Sequence, residues 1–513
     1  MPLAAPAFAQ SMPMPAEMPP RAADIDLAPT GSIAPTAPPQ PLAAPQPALS
    51  AKSAAVGPDE RASDGHARTA DAIQRVLKAF SVKPVPALGD GDWPRTRDAI
   101  IGAYDKSGGA TLWLEGDGLS GQAKATLARL RRADEDGLDL GRMPLPDEDW
   151  RSPGLDEGVV ADIAISAAVI VYAEQASGGS INPRRLSALF DLHPETAPPA
   201  EALASVLASA DPGAALLAFN PPHAEYARLK DILARLRAAA KTVDPGALKT
   251  LAPAARVASA GTAALPPPAQ AVDPSREIAA VLANMEMWRW APRDMGATHV
   301  AINVPDFTLR FVRDGAVALQ ERVIVGKPDT PTSIFSNALK LIIVNPAWHV
   351  PDSIINKEFL PKLNKDPDYL RRHGFETKQV GDKLIVVQPP GEANALGRIL
   401  FMFPNDHAIY LHDTPGRGLF NRDTRAFSHG CVRLDRPFEF GAALLTGDPR
   451  FAKTSLEGMI GGEETPLKLS APTPIHIQYF TRFVDDSGLL QRRADIYGLE
   501  RTVADTMRRM RQD

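Results

Sequence analysis

The hydrophobic period of this chain changes once, and that change divides it. Up to about Ala240 the apolar residues recur at helical spacing; from His299 they alternate. Ile73, Val76, Leu77 and Phe80 fall at i, i+3, i+4 and i+7. Ser120 offers a cap for a helix carrying Ala123, Leu127 and Leu130, and Gly158 to Tyr172 reads as an apolar helix. Tyr226, Leu229, Ile232, Leu233 and Leu236 form a further stripe. Turn residues at Gly116-Asp117-Gly118, Gly178-Gly179, Asn182-Pro183, Asp211-Pro212 and Pro221-Pro222 separate these segments. Residues 67–241 are therefore expected to form an all-helical domain that acts as a scaffold, with Arg184 and Arg185 solvated or ion-paired. Residues 242–272, rich in Ala and Pro, read as a linker.

A connecting helix is expected over 273–296, with Asp273 as its cap, Pro274 in its first turn, and Ile278, Val281, Leu282, Met285 and Trp288 on one face. Val300, Ile302 and Val304 then alternate, as do Leu309 and Phe311, and Asp314-Gly315 marks a hairpin turn before Val317 to Val325. Further strands are expected at 341–344, 384–387, 399–402, 408–411 and 474–479. Residues 354 to about 397 read as a helical, charged insertion forming a cap, and 485–513 as a helical extension. The fold class is α+β and multidomain: a helical scaffold, then a β-rich domain over about 297–484.

Composition narrows the function. Across 513 residues the formal net charge is −5, so no basic excess points to nucleic acid. No transmembrane segment is expected: the best apolar run, Ile163 to Ala173, is short and follows Asp162. The first fifty residues hold 13 of the 50 prolines, so 1–66 read as a disordered tail. Within it, Pro6-Ala7-Phe8-Ala9-Gln10 looks like the end of a secretory signal, without the basic start and apolar middle such a signal needs.

Cys431 is the only cysteine, which excludes an intramolecular disulfide and any multi-cysteine metal site. Three of the ten histidines, His407, His412 and His429, lie within 24 residues of it. A thiol attacks well only as thiolate, and an imidazole is the usual base. His429 and Cys431 stand two apart around Gly430 and would share a face in extended chain. His407 and His412 are five apart, so on one strand at most one faces the thiol. Asp435 is a candidate cap for a following helix, which would put the thiol near a helix N-terminus. Two other readings of the cluster are a small buried hydrophobe and a zinc ligand.

Ser428-His429-Gly430-Cys431-Val432-Arg433, preceded by His412, resembles the signature of L,D-transpeptidases with the YkuD fold. Gly326-Lys327-Pro328 through Thr332, Phe335-Ser336, Asn345 to Pro351 and Tyr410 to Pro415 resemble other segments of that catalytic domain. Trp113, Asp136-Gly137-Leu138, Asn182 to Leu186, and Asn220 to His223 with Tyr226 resemble the scaffold of the large, YcbB-like periplasmic members. Those members commonly carry a small peptidoglycan-binding module between the two domains; here only the linker stands in that place.

The resemblance implies a cysteine nucleophile, Cys431, acting on peptidoglycan stem peptides without cofactor or metal. It implies His412 as base, with His429 as the second choice, the Asp413 carbonyl and Ser428 as orienting groups, and backbone N–H groups of Gly430 and Cys431 as oxyanion donors. Arg433, Trp348 and Tyr410 would bind substrate; the alternative for Arg433 is an ion pair with Asp435. Acceptors would be a diaminopimelate amine, a lysine of an outer-membrane protein, a free D-amino acid, or water. Carbapenems would acylate the thiol, and the implied location is the periplasm. The rival readings are a cysteine hydrolase trimming stems, a non-catalytic wall-binding scaffold and a zinc hydrolase. His476 is expected to pack rather than react.

Overall fold

The computed structural model describes residues 68–76, 78, 93–141, 143–242, 273–381, 383–451 and 455–512. The expected tail over 1–66, the linker after Thr242, and the positions of Leu77 and Phe80 lie outside them.

The scaffold is helical where its apolar period says so. Its main helices are α1 (Trp93–Lys106), α2 (Gly121–Leu130), α3 (Leu155–Gly178), α4 (Pro199–Ala208) and α5 (Ala224–Thr242). Ser120 caps α2, its side chain accepting from the Ala123 N–H. The helix α3 is longer than the run read from the sequence. It is long and apolar enough to cross a membrane by length and composition, but 83% of its apolar window is buried inside the protein. A helix apolar all round belongs in a core as readily as in a bilayer, and here Trp113, Leu127 and Leu203 join it in one buried cluster.

A short scaffold strand, β1 (Phe190–Asp191), leaves this domain to pair elsewhere. The connecting helix α6 (Pro274–Arg289) starts as read, with Asp273 accepting from the Ser275 N–H and Pro274 in the first turn.

The scaffold motif residues meet α6. Asp136 is fully buried, and its carboxylate takes bonds from Arg129 at 2.7 Å, Tyr172 at 2.6 Å and Lys230. Its carbonyl takes Tyr226 at 2.9 Å and Arg289 of α6 at 2.5 Å. Asn220 joins Tyr172 and Tyr226, and His223 meets the Pro292 carbonyl at 3.0 Å. From α6, Glu286 accepts from the Ser180 and Ile181 N–H groups at 2.6 and 2.9 Å. A buried charge is tolerated only when its lone pairs are filled, and here they are.

The alternating region builds a sheet that closes on itself. Its strands are β2 (His299–Asn303), β3 (Thr308–Arg313), β4 (Ala316–Gly326) and β5 (Ile334–Val344). The Asp314-Gly315 turn joins β3 to β4, and both residues adopt positive φ, at 50° and 77°.

Residues 347–389 then form a compact unit of their own. It contains β6 (Trp348–His349), β7 (Glu376–Val380) and β8 (Lys383–Gln388), ordered β6-β8-β7. Its helical part, expected as one run from 354, is a continuous helical stretch over 352–363 with a π segment at 355–359, followed by a separate short turn at 369–372. Pro361 lies within the stretch just after the π segment, and Pro367 stands in the gap before 369, where it lacks the N–H a continuing helix needs. The insertion is thus mixed rather than helical, with Val350, Ile355, Phe359, Leu370 and Val386 as its core.

The sheet resumes with β9 (Ile399–Met402), β10 (Leu411–His412), β11 (Ala426–Ser428) and β12 (Val432–Leu434), followed by helix α7 (Pro437–Leu445) and β13 (Thr465–Gln478). The order is β9-β10-β12-β4-β3-β2-β13-β5-β1, and β9 also pairs with β5, which closes the ring. The expected strand 408–411 begins only at Leu411, because Ala408 takes a left-handed φ of 52°. The C-terminal stretch, expected as helical, starts with a hairpin of β14 (Arg482–Val484) and β15 (Leu490–Arg492) before helix α8 (Leu499–Gln512).

Val300, Phe311, Val325, Ile342, Phe401, Leu411, Val432, Phe440 and Ile477 fill the interior of this domain, and Leu229, Leu233 and Leu236 of α5 belong to the same buried cluster.

Candidate active site

Register places the thiol, the guanidinium and one imidazole together. β10 and β12 run parallel, with Leu411 opposite Val432 and His412 opposite Arg433. Leu411 and Val432 point into the core and are fully buried. His412, Arg433 and Cys431 therefore share the other face, since alternate residues of a strand share a side.

The imidazole of His412 is 5% exposed, and backbone carbonyls of Asp413 and Leu396 meet it by hydrogen bonding. Its Nδ1 is buried without a partner. Burial first, and then the Arg433 cation, bring its pKa down to about 3. Burial likewise pushes the Cys431 thiol up to about 11, although hydrogen bonds from Tyr410 and the Arg433 charge favour the thiolate. The resting pair is thus neutral thiol and neutral imidazole. The helix-terminus effect expected for the thiol is not what governs it. Asp435 does not cap α7; its carboxylate holds Arg322 at 2.7 Å, and the residue before α7 is Arg436.

That same ion pair removes the expected Asp435 partner from Arg433. Among the described residues no carboxylate pairs with Arg433, and its Nε is buried without a hydrogen bond. A half-buried guanidinium left in this state has donors to offer an anion.

Asp413 and the loop before β9 hold His412. The Asp413 carboxylate is 2% exposed and accepts from the Arg398 N–H at 2.9 Å and from Arg417 at 2.5 Å. Asn394 shapes the loop that presents Leu396: its side chain accepts from the Leu396 N–H at 2.8 Å, and its carbonyl from the Gly397 N–H at 2.9 Å. Leu396, Asn394 and Gly397 carried no signal in the sequence, because their roles depend on a chain reversal over β10.

Ser428 fastens the turn before the thiol. Its hydroxyl donates to the Cys431 carbonyl at 2.5 Å and accepts from the Gly430 N–H at 3.1 Å. The Gly430 N–H is thereby committed inside the motif, which corrects its expected role as an oxyanion donor. Gly430 adopts φ 118°, so the chain from His429 to Cys431 is not extended and the shared face expected for them does not follow. His429 is exposed. The Gly430 carbonyl accepts from Thr332 at 2.7 Å; Tyr497, ahead of α8, donates to the Gly326 carbonyl at 2.7 Å and accepts from the Thr332 N–H at 3.2 Å. Thr332 and Tyr497 are thus supports of the motif; of the two, Tyr497 had no sequence signal.

The remaining candidates separate. The Tyr410 ring lies edge-on to His412, with centroids 5.8 Å apart. Trp348 belongs to the 347–389 unit, where it packs near Phe375. His407 turns away to Asp191 of the scaffold, at 3.0 Å. His476 is 5% exposed, bonded to Ser336 at 2.9 Å and the Met295 carbonyl at 3.0 Å. Among the described residues no three His, Cys, Asp or Glu side chains cluster as a metal site would require.

Comparison with known proteins places both halves. A model of the L,D-transpeptidase catalytic domain, YkuD, matches residues 297–450. A model of the Scaffold domain matches residues 98–233. The "Putative L,D-transpeptidase" of Haemophilus influenzae is 32% identical over 222 residues, 40% of this chain and 45% of that protein. The chain thus matches less than half the length of that curated relative. Solved structures with weaker likeness include an L,D-transpeptidase from Mycobacterium smegmatis, 15% identical, covering 36% of this chain and 58% of the other, with a TM-score of 0.20. The catalytic domain of the E. faecium L,D-transpeptidase acylated by ertapenem is 14% identical, covering 35% and 95%, with a TM-score of 0.16. Residues 297–450 therefore form an L,D-transpeptidase catalytic domain of the YkuD family, joined in this chain to a scaffold domain at residues 98–233.

Proposed function

We propose that this chain is a peptidoglycan L,D-transpeptidase of the periplasm that uses Cys431 as nucleophile and His412 as base. The observation that supports the reading best is the β10–β12 register, which sets the buried His412 opposite Arg433, two residues after the only thiol. Both groups are neutral at rest, so the proton leaves Sγ for His412 as the sulfur attacks the carbonyl of a diaminopimelate–D-Ala bond. The Cys431 N–H takes the oxyanion, since that of Gly430 serves Ser428. The C–N bond then breaks, His412 returns the proton to the departing D-Ala amine, and a thioester remains. An acceptor amine attacks it, His412 takes the amine's proton, and the thiol is regenerated on release.

The Asp413 and Leu396 carbonyls face the ring and favour its protonated form as it takes up the proton. Arg433 binds a carboxylate of the donor stem, and Tyr410 lines the substrate path. His429, exposed beside the thiol, contacts substrate rather than serving as base. The favoured acceptor is a diaminopimelate side chain, giving a cross-link between two such residues; an outer-membrane protein amine is the other amine of this chemistry.

The test is intact-mass analysis after incubation with a carbapenem. One adduct on the wild type and none on Cys431→Ala supports the nucleophile; an adduct that persists in the variant overturns it.

A further inference from the structure

We propose that the scaffold domain positions the nucleophile through Asp191 and His407, resting on the reading of Cys431 above.

β1 of the scaffold extends the catalytic sheet: Phe190 and Asp191 pair in parallel with Ile334 and Phe335 of β5, and the Ile334 N–H donates to the Leu189 carbonyl at 2.8 Å. This strand carries the Asp191 carboxylate to the turn over 403–410. There Oδ2 meets His407 Nε2 at 3.0 Å, and the His407 ring packs on Phe335, the register partner of Asp191, with centroids 4.7 Å apart.

His407 is one residue from a strained position. Ala408 has φ 52°, a conformation that strains an alanine and persists only where neighbours enforce it. The enforcement is visible. Asn405 accepts from the N–H groups of His407 and Ile409 and donates to the carbonyls of Phe403 and Ile409, closing the turn from within. Asn337 of β5 holds the Pro404 carbonyl at 2.8 Å, and Asp191 holds the turn's tip from outside.

The strain has a use at the thiol. The left-handed turn aims the Ala408 carbonyl at Cys431, whose Sγ donates to it at 3.6 Å, and Tyr410 of the same turn also bonds the sulfur. Two of the contacts that aim Sγ therefore come from a segment fastened to the scaffold. Asp191 and His407 touch no reacting atom; they are positioning residues that make the scaffold a working part of the catalytic domain.

Two rates on the full-length protein test this: transfer on muropeptides, and alkylation of the single cysteine by iodoacetamide across pH. Asp191→Ala and His407→Ala should each lower kcat about tenfold with KM within about twofold, and the double variant should fall no further than either single. His407→Gln, whose amide still reaches Asp191, should recover most of the loss. The alkylation rate of Cys431 should change at least about threefold in both alanine variants. His193→Ala should change neither rate, although His193 meets the same carboxylate at 3.3 Å, because its ion pair does not reach the 403–410 turn. Additive losses, no rescue by glutamine, or unchanged alkylation would overturn the proposal. Should the wild type fail to turn over muropeptides, altered alkylation in the same variants would still support the positioning role; the function reading alone would fall.

Discussion

A β-carbon added at Gly397 would lie 2.4 Å from the side chain of Asp413, and Gly397 holds φ 66°. The glycine is therefore required twice, for its backbone conformation and for the space that lets the Asp413 carboxylate seat against the loop presenting Leu396 to His412. Gly397→Ala should cost about 2–4 kcal/mol in chemical denaturation and slow acylation of Cys431 together. A variant as stable and as fast as wild type would show that this packing does not support the site.

Ser428→Ala should spare the fold and damage the turn. It removes two hydrogen bonds and leaves the buried Gly430 N–H without its acceptor, at a cost of about 1–3 kcal/mol. The expected kinetic result is a fall in kcat of about 10- to 100-fold with little change in KM, read by steady-state assay.

How much of this was written in the sequence depends on the range of the interaction. Ser120, Asp273 with Pro274, and Asp314-Gly315 act within four residues, and each forms the cap or turn its residue type requires. The alternation of 300–304 reports a buried face and survives as β2. The features that escaped are set by distant partners. Asp435 is a good cap by type, but Arg322 claims it across the sheet. Ala408 reads as strand, but contacts from Asn405 and Asp191 hold it left-handed. Gly430 reads as an oxyanion donor until Ser428 folds back on it. The nearness of Cys431 to His412 was implied by the family signature, and the β10–β12 register sets His412 opposite Arg433, two residues after the thiol.

Arg433→Lys is not a mild change. A lysine keeps the charge but loses the planar fork, including the Nε that lies buried without a partner. The expected outcome is KM raised about tenfold for the donor stem and kcat changed less than threefold. Equal losses in both variants Arg433→Lys and Arg433→Met would mark the charge as irrelevant and the fork as decisive.

Glu321 makes stability depend on pH. It is 4% exposed, accepts from the Arg436 N–H at 2.6 Å, and burial raises its pKa to about 7. Its pKa is lower when unfolded, so between about pH 4.5 and 7 the folded state holds more protons and stability falls as pH rises. Glu321→Gln keeps the acceptor and removes the charge. Relative to the variant, the wild type should lose roughly 3 kcal/mol across that window, measured by denaturation at pH 4.5 and 7.5.

If Cys431 transfers diaminopimelyl groups to an amine, the products of the reaction will show it. Full-length protein and its Cys431→Ala variant would be incubated with diaminopimelate tetrapeptide muropeptides and the products weighed by mass spectrometry. The expected product is a cross-linked dimer that has lost one D-Ala, made by the wild type and absent with the variant. Tripeptide without dimer, or a dimer that still forms in the Cys431→Ala variant, would contradict it.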